Sequence, residues 1–169
     1  MERTLRIIQE LCNPVFETVR EGVLLVVQMK LISIAKLGDG EDHLMILKEV
    51  DGERVLAISI GTSEAAAMAV ALEKIRTPRP MSHDLMATLI RRLQAELMSV
   101  VIHDLRDDMF IGQLDLKTAQ GIQEIDCRSS DAVALALRLG APIYASESVL
   151  EAAAVSVEGD STTPSDTAS

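Results

Sequence analysis

The period of hydrophobic and polar positions changes several times along the chain. LVVQMKLISIAKL (25–37) reads as a strand, and HLMILKEV (43–50) and RVLAISI (54–60) read as two more. The last two flank Asp51-Gly52, a strong hairpin signal. An Ala-rich helix follows in SEAAAMAVALEKI (63–75). After Pro78-Arg79-Pro80 comes a second helix, SHDLMATLIRRLQAEL (82–97), with Leu85, Leu89 and Leu93 along one face. The pattern then starts again with SVVIHDL, MFIGQLDLKT and IQEIDC as strands, Asp107-Asp108 as a turn, and SDAVALALRL (130–139) as a helix stopped by Gly140 and Pro142.

The two Ala-rich helices begin alike, with Ser63-Glu64-Ala65 and Ser130-Asp131-Ala132, and each follows three strands. This order predicts an α+β domain with a mixed sheet, built by internal duplication of a unit of three strands and helices. Both Ala-rich helices are apolar nearly all round and are expected to be buried. The domain is expected over 23–153. Before it, over 1–22, Leu5, Ile8, Cys12, Val15 and Val19 recur at helical spacing and predict an amphipathic helix, for self-association or for packing on its own domain. From 154 the chain turns small, polar and acidic and reads as a disordered tail.

Composition narrows the function. Aromatics are 2% of 169 residues, so the core must be aliphatic. The net charge of −10 opposes broad contact with nucleic acid, whose affinity comes mainly from Lys and Arg. Base stacking on an aromatic platform is equally disfavoured. A nucleic-acid site would have to be a local basic spot, helped by a divalent cation. Cys12 and Cys127 have neither metal-ligand spacing nor a disulfide framework. With no leader segment and no long apolar run, a cytoplasmic protein without a membrane partner is expected.

Three stretches carry a resemblance: IGTSEAAAMAVAL, PRPMSHDL and IDCRSSDAVALALRLGAPIY. In this order they resemble the bifunctional nuclease family, over about Leu24 to Leu150. Two residues depart from the family pattern, Ser129 in place of Pro and Ser82 in place of Thr. The resemblance implies a compact α+β domain, often a homo-oligomer, and hydrolysis of phosphodiester bonds in DNA and RNA, an activity attributed to plant members.

The residues in these stretches have both a local and a chemical reading. Ser82 suits an N-cap, Asp84 the first turn after it, and Met81 with Met86 a hydrophobic staple. Arg79, held extended between two prolines, and His83, at the helix start, are left over. Arg79 suits a phosphate clamp and His83 a general base or a metal ligand, with Asp84 and Asp131 beside it as catalytic groups. Arg128 and Asp131 straddle the next helix start, as a salt bridge locking the turn or as phosphate-binding and metal-binding groups. Glu64, the repeat counterpart of Asp131, is expected with Asp126 and Asp131 to hold Mg²⁺ or Mn²⁺. The rival explanation is helix starts each obeying the dipole rule. A non-enzymatic oligomeric binding or regulatory module is the competing function.

Overall fold

A computed structural model describes residues 25–156 of the chain. Eight strands form one sheet: β1 (Val26–Lys36), β2 (His43–Glu49), β3 (Arg54–Ile60), β4 (Glu96–Arg106), β5 (Met109–Thr118), β6 (Gly121–Arg128), β7 (Ile143–Ser146) and β8 (Val155–Ser156). Four helices accompany them: α1 (Thr62–Leu72), α2 (Ser82–Arg92), α3 (Ser129–Leu139) and α4 (Glu147–Ala153). The sheet order is β6-β5-β4-β7-β1-β2-β3-β8. Only the β4–β7 pair is parallel among the described strands, so the sheet is mixed and the domain is α+β.

Local chemistry accounts for most of these elements. The β2–β3 register keeps Asp51-Gly52 at the hairpin tip. The β4–β5 hairpin closes at Arg106 and Met109 around Asp107 and Asp108, both at positive φ. Aspartate is among the few residues that tolerate that conformation. Gly140 ends α3 in the left-handed conformation, with φ 73°, and its N–H donates to Ala136 O at 2.8 Å.

The core is aliphatic. Met45, Leu47, Leu56, Met68, Val100, Ile102 and Leu150 are fully enclosed. Helix α3 packs on β4 and β5, and α1 and α2 pack against α3. Helix α4 touches both β4 and β3, which stand four places apart, so the sheet curls around it.

Several sequence expectations need correction. Helix α3 is buried along most of its length, whereas α1 buries only Ala65, Ala67 and Met68, because it flanks α3 instead of lying beneath it. The sequence left open which face of α2 packs inward: Leu85, Leu89 and Leu93 are all exposed, and the packed face carries His83 and Ala87. Met81, not Ser82, is the N-cap of α2, so Met81 and Met86 do not stand at the N′ and N4 positions of a hydrophobic staple. A strand, β7, which the sequence pattern did not predict, separates α3 from α4. Val155 and Ser156 pair with β3. The amphipathic segment over 1–22 and the rest of the tail lie outside the described residues. No described helix is long and apolar enough to cross a membrane.

Candidate active site

Three helix N-termini meet at one place. Each carries an acid at its third helical position: Glu64 in α1, Asp84 in α2 and Asp131 in α3. The dipole rule explains why an acid stands at each start. It does not explain the bonds that run from one helix to another.

His83 is buried, at 7% exposure. Its Nε2 lies 2.9 Å from Asp131 Oδ1, joining α2 to α3. An ionised carboxylate only accepts, so Nε2 is the donor in this contact. Among the described residues Nδ1 has no hydrogen-bond partner.

The same Asp131 accepts twice from Arg128, from Nε at 2.8 Å and from Nη2 at 3.1 Å. Nη1 of Arg128 reaches across to Glu64 Oε1 at 2.8 Å. The guanidinium thus bridges α3 and α1, and its side chain stays 65% exposed. Burial alone would raise the Asp131 carboxyl above its ordinary pKa. Hydrogen bonds from Arg128 and His83 outweigh it and hold the carboxyl below that value. Asp131 and Glu64 together raise the pKa of Arg128, which stays charged.

Asp84 faces elsewhere. One oxygen accepts from Arg138 Nε at 2.6 Å and the other from the Met81 N–H at 2.8 Å. Arg138, with a side chain only 7% exposed, also donates to Ala134 O and to Ala67 O, both at 3.0 Å. One buried guanidinium therefore ties α1, α2 and α3 together behind the site. The sequence reading passed over Arg138. The available signal was an arginine inside ALALRL, since a charge on a buried face needs partners.

The structure thus brings together His83, Asp131, Arg128 and Glu64. It does not bring Asp84, Arg79 or Asp126 into the same hydrogen bonds. Arg79 is exposed, and its carbonyl accepts from Thr77 Oγ1 at 2.7 Å. Asp126 is exposed on β6, two residues before Arg128. Among the described residues no three of His, Cys, Asp and Glu converge as a metal cage. Glu64 and Asp131 already neutralise one guanidinium between them. Burial, then Asp131 and Asp126, push the Cys127 thiol up to about 11, so it stays protonated and unreactive near neutral pH.

A family model described as "Bifunctional nuclease domain" matches residues 45–158. The chain belongs to that family. It is 41% identical over 134 residues to two Mycobacterium tuberculosis proteins, covering 79% of this chain and 80% of each. These are named "Uncharacterized protein MT1877", of strain CDC 1551 / Oshkosh, and "Uncharacterized protein Rv1829", of strain H37Rv.

Proposed function

We propose that this chain hydrolyses phosphodiester bonds in DNA or RNA, with His83 as general base. The observation that carries the reading is the His83–Asp131 contact, which leaves Nδ1 without a hydrogen-bond partner among the described residues. A carboxylate fixing one ring nitrogen so that the other can take a proton is the logic of a base held by its orienter. Water would lose its proton to Nδ1 as its oxygen forms the new P–O bond. The leaving oxygen would depart with the electrons of the broken bond and take a proton from solvent. Arg128, exposed and charged, would face the phosphate, with Arg79 on the approach. Asp84, bonded to Arg138 and Met81, would hold the start of α2 in place.

A divalent cation fits this proposal only as a companion of the substrate. Mg²⁺ commonly uses one or two carboxylates plus phosphate oxygens, so a cage of three protein ligands is not required. Asp131 and Glu64, bridged by Arg128, are the carboxylates that would hold it, without Asp126. When bound, such an ion would acidify water and neutralise phosphate charge. Two carboxylates against one guanidinium leave the cluster net negative, which suits that role.

The exposed leucines of α2 favour a second reading, an assembly or binding module. One assay separates the two. Purified protein is incubated with single-stranded and duplex DNA and RNA, with Mg²⁺, Mn²⁺ or chelator, beside His83→Ala and Asp131→Asn. Wild type should cleave, and each variant should lose at least about a hundredfold, the usual worth of a general base. Equal cleavage by all three would mean contamination and would sink the assignment.

A further inference from the structure

Strand β6 runs into α3 with no linker. Arg128 ends the strand and caps the helix, and Ser129 is already helical. A helix launched so abruptly must pass directly over the neighbouring strand, β5. The residue it crosses is Gly112, which is buried and pairs with Cys127. A Cβ at Gly112 would stand 3.0 Å from Ser129 Cα, 3.2 Å from Arg128 O and 3.2 Å from Ala132 Cβ. Two of these three atoms are backbone of the turn that carries Arg128 and Asp131, so no side-chain rotation relieves the clash. Conformational freedom is not the reason for glycine here, because Gly112 is not among the residues with positive φ. What matters is the empty space.

We propose that Gly112 is a positioning residue for the candidate active site. Its missing side chain sets the height of the first turn of α3 above the sheet. That height determines whether Asp131 reaches His83 and whether Arg128 reaches Glu64. Two turns further on, Arg138 fastens the same helix to α1 and α2. A push beneath the first turn therefore tilts α3 about that anchor. A displacement of a few tenths of an ångström is large against hydrogen bonds of 2.8 and 2.9 Å. The catalytic meaning of this position rests on the function proposed above, but the geometry does not.

Gly112→Ala tests it by nuclear magnetic resonance, beside Gly40→Ala, where an added Cβ meets nothing closer than 3.8 Å. The readouts are the His83 Nε2–H signal, assigned through His83→Gln, and the backbone amide shifts of residues 129–132. Gly112→Ala should keep its far-ultraviolet circular dichroism, lose the ring N–H signal to exchange and shift those amides. Gly40→Ala should match wild type. Wild-type amides and ring signal in a merely less stable Gly112→Ala would overturn the proposal, leaving Gly112 a packing residue. Should that variant not fold, Gly112→Ala with Ala132→Gly removes the side-chain part of the clash, and the same readouts decide. Shifted signals in Gly112→Ala, beside a wild-type protein that cleaves nothing, would sustain the positioning role while the catalytic reading fell.

Discussion

His83 and Asp84 are neighbours in sequence, yet they serve different partners. His83 turns to Asp131 at the mouth of the site, and Asp84 turns to Arg138 behind it. Hydrogen bonds from Arg138, then from the Met81 N–H, hold the Asp84 carboxyl below its ordinary pKa. A depressed carboxyl pKa means the unfolded chain binds the extra proton first. Stability from Asp84 is therefore fully present above about pH 4, the unfolded value, and is lost as pH falls through the folded one. Asp84→Asn should cost about 2 kcal/mol at pH 7, because it leaves a buried guanidinium without its charge partner. It should also flatten the acid limb of the stability profile. Urea unfolding from pH 7 to about 3 checks both, and an acid limb as steep as wild type would refute the assignment. At this scale the sequence identified the acids, because helix starts select them. The buried partner was not legible, since Arg138 lies 54 residues from Asp84 and only the folded chain joins them.

The elements were legible wherever local chemistry dominates. Alternating residues and a two-residue tip set β2, β3 and β5 almost to the residue. Strand β7 was missed because IYAS is buried at every position and shows no alternation. Its partners, β1 and β4, lie far away in sequence. Helix α2 shows a different limit. Period identifies a stripe, but not which stripe faces inward when small residues line another. Ala87 lets α2 approach α3 closely, so the leucines are left outside, with Leu93 77% exposed. Leu89→Lys and Leu93→Lys should each change unfolding free energy by no more than about 0.5 kcal/mol. Ala87→Leu should cost about 1–3 kcal/mol through overpacking. Urea midpoints measure all three, and large losses in the leucine variants would mean that this face is covered in the folded protein.

Taken as a whole, the molecule sets a site with few positive charges inside a strongly acidic chain. Composition made the net charge of −10 readable. That Glu64, His83, Arg128 and Asp131 meet depends on three helix starts converging over one sheet, which no local pattern encodes. The combination has a measurable consequence for the proposed substrate. If Arg128 and Arg79 are the phosphate contacts, about two counterions leave a single strand on binding. The plot of log K against log salt should then slope at roughly −1.4 or less steeply. Repulsion between an acidic protein and a polyanion is screened as salt rises, which flattens the slope further. Arg128→Ala should bring it closer to zero by about 0.7. Fluorescence anisotropy of a labelled single strand, with His83→Ala to prevent turnover, measures both slopes. A slope of about −5 or steeper would require a basic surface beyond these two arginines and would move the nucleic-acid contact away from the three helix starts.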